Sequence, residues 1–169
     1  MKRIIASVTF SLMFFAVSAQ QALLDSVKWV HPSDVTVNGL QNGYFLVMEL
    51  PEEHKKLGFI DAKTEKSYLI GKSEYFGFSK IDSIYSFFEA NFKTHVIEVH
   101  FNKADSIRLF EFSNRWKGFK IGLIVNSKIV HVATLDISPL AKGRIAIAGF
   151  KNNEESNAFI NVIKSAASY

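Results

Sequence analysis

Short apolar runs rich in β-branched and aromatic residues, separated by turn residues, recur along most of the chain. Side chains of these types suit a pleated, half-buried surface, so each run favours a strand over a helix. Strands are predicted at residues 44–50, 67–70, 83–88, 95–101, 121–125, 128–132 and 143–150. Asn126 and Ser127 are the only residues between two of these runs, and a gap of two residues predicts a tight hairpin.

The two-residue turn also predicts the register of that hairpin. Counting outward from the turn places Leu123 opposite Val130. Alternate residues of a strand point to the same side, so Ile121, Leu123, Val130 and Val132 are expected to share the face under the helices.

A helix is predicted over residues 103–116. Asn102 is a good N-cap residue, and Asp105 stands three positions later, where the acid of a capping box lies. Helical spacing brings three large apolar side chains to one face, which we expect to enter the core: Leu109, Phe112 and Trp116.

This helix also carries a second apolar stripe on roughly the opposite side, formed by Ile107 and Phe110. An amphipathic helix needs only one buried stripe, so the second one requires an explanation. Two explanations stay open: the stripe contacts a partner, or it is buried beneath the N-terminal segment of the same chain.

A second amphipathic helix is predicted from residue 153 to residue 164, with a short continuation. Its apolar side is expected to consist of Ala158, Phe159, Val162, Ile163 and Ala166. Several strands with two helices indicate an α+β fold, mainly an antiparallel sheet with two helices packed on one face.

The first nineteen residues are typical of a secretory signal peptide. Lys2 and Arg3 precede an uncharged, mostly apolar run that ends in small residues at Ala19. We therefore expect export, with cleavage near Ala19 and a periplasmic or secreted protein. The predicted divisions are 1–19 signal peptide, 20–43 N-terminal extension and 44–169 folded domain.

Composition narrows the possible partners. Without Lys2 and Arg3 the chain has 18 basic and 16 acidic residues, and so small a net charge argues against nucleic acid as a partner. The chain has no cysteine, so disulfides cannot stabilise it. Aliphatic and aromatic residues, 16 of them Phe, supply an apolar core instead.

No motif for a metal, a cofactor or a catalytic residue stands out. His95 and His100 are five residues apart on one predicted strand, so they should point to opposite faces. An enzyme would need two or more dispersed residues to meet around one pocket, the candidates being His54, His95, His100, His131, Glu98 and Asp136. We expect no metal and no cofactor.

Seven aromatic residues fall between Tyr75 and Phe92. Most aromatic residues are buried, but Phe87 and Phe88 are consecutive on one predicted strand and must point to opposite faces. If the outer face is bare, one of them forms part of an apolar patch suited to an extended peptide or another subunit.

The order of these segments resembles the head subdomain of the first periplasmic domain of the SecD/SecDF protein-export factors. The resemblance rests on YFLVME at 44–49, SYLIGK at 67–72, the helix with its Gly118 turn, the hairpin, and GRIAIAGF at 143–150 followed by a Glu-rich helix start. It implies a mobile cap that handles an emerging polypeptide and carries no catalytic residue. In that family the positions matching Ile107 and Phe110 are usually polar or small, so this chain departs from the pattern there.

The sequence therefore predicts an exported, non-catalytic module that binds a polypeptide or an envelope protein. Its candidate partner-binding residues are Ile107, Phe110, Phe87 and Phe88. A small periplasmic hydrolase or metal-dependent enzyme is one alternative, and an inhibitor or immunity-type protein that acts by surface complementarity is another.

Overall fold

A computed structural model describes residues 21–34, 39–61, 63–78, 81–135 and 143–167. Its strands are β1 (Trp29–Val30), β2 (Gly43–Glu49), β3 (Phe59–Ile60), β4 (Ser67–Gly77), β5 (Ile81–Glu89), β6 (Thr94–Phe101), β7 (Lys120–Val125), β8 (Lys128–Thr134) and β9 (Arg144–Phe150). The long helices are α1 (Lys103–Arg115) and α2 (Asn153–Ala166), and a 3₁₀ segment spans Glu52–Leu57. The predicted signal peptide and Asp136 lie outside the described residues.

The strands divide between two sheets, and every pairing is antiparallel. The first sheet has the order β1-β4-β2-β7-β8, with β3 also paired to β4, and the second has the order β5-β6-β9. The predicted α+β class with antiparallel strands is confirmed. We expected one main sheet, but alternation along a strand shows which residues face a core and not which neighbour the strand pairs with.

Both sheets and both helices contribute to the larger of two apolar clusters. Phe76 of β4 and Phe101 of β6 join the sheets, because their rings meet edge to face with centroids 5.1 Å apart. Trp116, which caps the end of α1, and Ile163 of α2 are completely buried in this cluster. The two helices are therefore fixed to the sheets by side chains that no water reaches.

The smaller apolar cluster lies on the opposite face of the first sheet and includes Phe45 and Ile70. Residues of the predicted N-terminal extension complete both clusters. Val27 is buried in the larger one, and Val30 and Leu40 are buried in the smaller one. The extension thus packs against the domain, and β1 pairs along the edge of β4.

The hairpin forms at the predicted turn, and its two turn residues have φ angles of +50° and +62°. The register differs from the prediction beyond the first pairs. A bulge at Val130 places Leu123 opposite His131, whereas Val130 was expected there. Val132 consequently packs against the smaller cluster on the other face, so its predicted position under the helices is wrong.

Helix α1 begins as predicted. The Asn102 side chain accepts a hydrogen bond from the Asp105 backbone N–H at 3.0 Å, and it donates one to the Asp105 carboxylate at 2.8 Å. The buried face is the one expected, with Leu109, Phe112 and Trp116 at most 9% exposed. This capping arrangement satisfies a backbone donor that the helix cannot pair internally.

Helix α2 is rotated relative to the prediction. Ile163 and Ala166 are buried as expected, but Ala158 and Val162 are exposed and Phe159 is only half-buried. Ile160 and Ser156 take their places in the core. The rotation brings the Ser156 hydroxyl to the Ser86 hydroxyl of β5 at 2.8 Å, so a hydrogen bond that the apolar pattern cannot reveal accompanies this orientation.

The first sheet nearly closes on itself. Its two ends approach each other, since Cα atoms of β3 lie within 8 Å of Cα atoms of β8. Within the described ranges these two strands nevertheless do not pair. A cavity of about 570 Å³ lies at this seam, between the strand edges and α2.

Candidate functional site

Strand β5 is an edge of the second sheet. One side of it pairs with β6, and its other side pairs with no strand in the part of the chain that the structure describes. Its central residues, 83–88, include no Lys, Arg or Pro. Natural proteins usually protect a free strand edge with such residues, because an unprotected edge can pair with another chain. The centre of strand β5 lacks this protection.

Phe87 and Phe88 point to opposite faces of the second sheet, and both are accessible. Phe87 is 37% exposed and Phe88 is 57% exposed. Tyr85 lies on the same face as Phe87 and is 46% exposed, with its ring centroid 6.3 Å from that of Phe87. Phe92, in the turn that follows β5, is 78% exposed. The free edge is therefore lined by aromatic side chains on both sides.

A carboxylate on the neighbouring strand fixes the position of Tyr85. The Tyr85 hydroxyl donates a hydrogen bond to Glu98 Oε1 at 3.0 Å. The same oxygen lies 2.5 Å from His100 Nε2 and 3.4 Å from Arg144 Nη1. These contacts hold the Tyr85 hydroxyl at Glu98, and the Tyr85 ring lies beside that of Phe87. They also make this face of the sheet polar at one end and aromatic at the other.

The same contacts change the pKa values of Glu98 and Tyr85. Burial raises the pKa of Glu98, but the hydrogen bonds from His100 and Tyr85 and the charge of Arg144 together outweigh burial, so its pKa lies below its ordinary value. The pKa of Tyr85 is raised, chiefly because its hydroxyl donates to the Glu98 carboxylate. Because its pKa is lowered, Glu98 is ionised at neutral pH, and its carboxylate accepts these hydrogen bonds.

The second predicted surface is on α1. Ile107 is 55% exposed and Phe110 is 44% exposed, so the explanation that the N-terminal segment buries them is wrong for both. They share their side of the helix with exposed residues such as Glu111 and Asn114. Their contact with a partner stays a prediction.

The residues considered for an enzyme are mostly apart. Glu98 and His100 meet on the open face of the second sheet, while His95 points to the other face and contacts the Phe88 ring. His131 packs against Phe159 at a centroid distance of 6.3 Å. Across the described ranges, no group of three or more His, Cys, Asp or Glu residues could hold a metal ion.

Tyr85 is not among the residues predicted for this site. Its spacing from Phe87 by two residues places both on one face of a strand, and this signal was available. The free edge of β5 could not be predicted from the sequence, because it depends on which strands flank β5 in the folded sheet.

None of the helices described is long and apolar enough to span a membrane.

Comparisons with known proteins find a likeness at the level of structure. No family model and no curated protein matches the sequence. One similar solved structure is that of SecDF, described as a membrane component that enhances protein export, with a TM-score of 0.48, 11% identity, and coverage of 76% of this chain and 64% of that chain. Another is SecDF in a super-membrane-facing form, with a TM-score of 0.45, 12% identity, and coverage of 76% and 19%. The aligned region is thus less than two thirds of each SecDF chain.

Proposed function

We propose that this chain is an exported, non-catalytic module that binds an extended segment of polypeptide along the free edge of β5. The observation that carries the proposal is a nine-residue edge strand with exposed aromatic side chains on both faces. The backbone of an added strand would pair with the unused N–H and C=O groups of β5. Its side chains would alternate between the Phe87 face and the Phe88 face.

This geometry favours an extended polypeptide over a small molecule. Backbone pairing gives affinity without regard to sequence, and aromatic rings add apolar contact area at little conformational cost. Neither Phe87 nor Phe88 lines any of the five best-formed cavities found among the described residues. The module would therefore select apolar or aromatic side chains at alternate positions of its partner.

A binding titration with a permanently unfolded polypeptide, reduced and alkylated, tests the proposal. Phe88→Lys removes an exposed ring and adds a charge at the edge, and we expect it to lower the affinity at least tenfold, because aromatic anchors dominate such interfaces. Leu57→Lys is the matched control, since Leu57 is 51% exposed and lies in the 3₁₀ segment, away from β5. Equal affinity for both variants would reject β5 as the binding edge.

Export is part of the proposal and is supported by the charged start, the apolar run and the small residues before Gln20. The partner would then be a polypeptide or a protein of the cell envelope. Detection of the protein in the periplasmic or secreted fraction would agree with this placement, whereas an exclusively cytoplasmic protein would not.

An enzyme is the second candidate, and the contact between Glu98 and His100 is the observation in its favour. Such a pair can orient a histidine as a general base. Hydrolysis of chromogenic ester and peptide substrates should then be lost in Glu98→Gln and His100→Gln. An inhibitor or immunity-type protein would instead bind a folded partner tightly and leave the unfolded polypeptide unbound.

A further inference from the structure

A second apolar site lies at the seam of the first sheet. The proposed function does not involve it. The cavity of about 570 Å³ between β3 and β8 is within the size range of small-molecule sites. Its walls are mostly apolar, and the side chains that form them are Phe59, Ile60, Ile129, Val130, Phe159 and Val162.

The cavity continues past Phe159 into a smaller one. This second cavity has a volume of about 270 Å³, and it shares Lys63, Val130, Phe159 and Val162 with the first. The two cavities are therefore neighbours, and the smaller one is also lined by the polar residues His131 and Glu155. Phe159 and Val162 are two of the α2 residues that the helical pattern assigned to the core. In the structure they line these cavities.

The polar groups at the rim favour an anion. Lys63 and Lys128 line the larger cavity, both are exposed, and neither forms an ion pair with an acidic side chain among the described residues. Asp61 also lines it, but Asp61 is 3% exposed, and its carboxylate oxygens accept from the Lys63 backbone N–H at 3.1 Å and the Thr64 hydroxyl at 2.6 Å. The larger cavity is therefore lined by two exposed ammonium groups and one buried carboxylate, which leaves one positive charge in excess at the rim.

The width of the seam excludes a peptide strand as the occupant. A strand that paired with both β3 and β8 would hold them about 9.5 Å apart, twice the ordinary spacing of neighbouring strands. Their Cα atoms lie within 8 Å of each other. A hydrocarbon chain forms no backbone hydrogen bonds with β3 and β8, so its binding does not require this separation.

We propose that this space binds a free fatty carboxylate, with its chain in the apolar cavity and its carboxylate at Lys63 and Lys128. Apolar burial supplies most of the affinity, because each methylene removed from water contributes about 0.8 kcal/mol. The two ammonium groups select an acid over a neutral chain of equal length. This site is separate from β5 and stands or falls independently of the proposed function.

Calorimetric titration of the full chain with dodecanoate, below the concentration at which it forms micelles, tests the proposal. We expect saturable binding with one dodecanoate per chain. Lys63→Glu with Lys128→Glu should weaken dodecanoate binding at least tenfold and leave dodecan-1-ol binding within about twofold. Lys103→Glu with Lys117→Glu, the same charge change at exposed positions elsewhere, should have no such effect.

A variant that fills the cavity supplies a second test. Val162→Trp places a large ring at the wall shared by both cavities, and we expect it to abolish binding of both dodecanoate and dodecan-1-ol. Thermal unfolding of each variant establishes that it is folded. Absence of saturable dodecanoate binding to the natural sequence overturns the proposal, as does binding that survives both Val162→Trp and the double lysine change. Binding only to phospholipid vesicles also overturns it.

Discussion

Replacement of Leu123 by alanine is the sharpest test of the packing described above. Leu123 lies in the middle of β7, is completely buried, and belongs to the larger apolar cluster between sheets and helices. Removing a buried leucine side chain costs its transfer free energy plus that of the cavity left behind. The surrounding strands pair on both sides of β7 and cannot easily collapse, so we expect a loss of about 3 to 5 kcal/mol in unfolding free energy.

Urea unfolding followed by circular dichroism measures this loss, and thermal unfolding should show a fall of roughly 6 to 20 °C in the midpoint. Lys128→Ala, on the paired strand but exposed, is the control and should change the free energy by less than about 0.5 kcal/mol. A small and equal effect at both positions would contradict the burial of Leu123.

Three further predictions concern protonation, the α1 stripe and export. Burial, and to a lesser extent the charge of Lys63, lower the pKa of His131 below its ordinary value of 6.5. The unfolded chain therefore binds a proton at His131 more readily than the folded chain does. The unfolding free energy should consequently decrease as pH falls below about 6.5. His131→Gln should weaken this decrease, and an identical pH profile would argue against it. Ile107→Ser with Phe110→Ser should lower the thermal midpoint by less than about 2 °C, because both side chains are exposed. If the stripe binds a partner, affinity capture of that partner from the envelope should fail with this variant. N-terminal sequencing of the protein from the envelope fraction should find Gln20 first, and Met1 would rule out cleavage.

Features determined by neighbouring residues in the chain could be predicted from the sequence. Asn102 caps α1 because its side chain reaches a backbone N–H only three residues away. The Asn126-Ser127 turn adopts positive φ angles because a type I′ turn, one of the two turn types favoured in two-residue loops, matches the twist of the paired strands. These features depend on residues a few positions apart, so the sequence alone is enough to predict them.

Features determined by distant residues could not be predicted. The bulge at Val130 shifts the outer half of β8 by one residue, and a turn specifies only the pairs next to it. In α2, either Phe159 or Ile160 could have entered the core on periodicity alone, and packing against the sheets selected Ile160. The cavity at the seam and the free edge of β5 likewise depend on which elements become neighbours in the fold, so neither has a signature in the sequence.

The open edge of β5 also affects how the protein behaves with itself. Two copies of β5 can pair with each other across a two-fold axis, because in an antiparallel pair each strand offers the same N–H and C=O groups to its partner. Any polypeptide partner must therefore compete with a second copy of this chain for the same hydrogen-bonding groups. The apparent affinity for such a partner should fall as the protein concentration rises, and self-paired copies should accumulate where the chain is abundant and its partner is scarce.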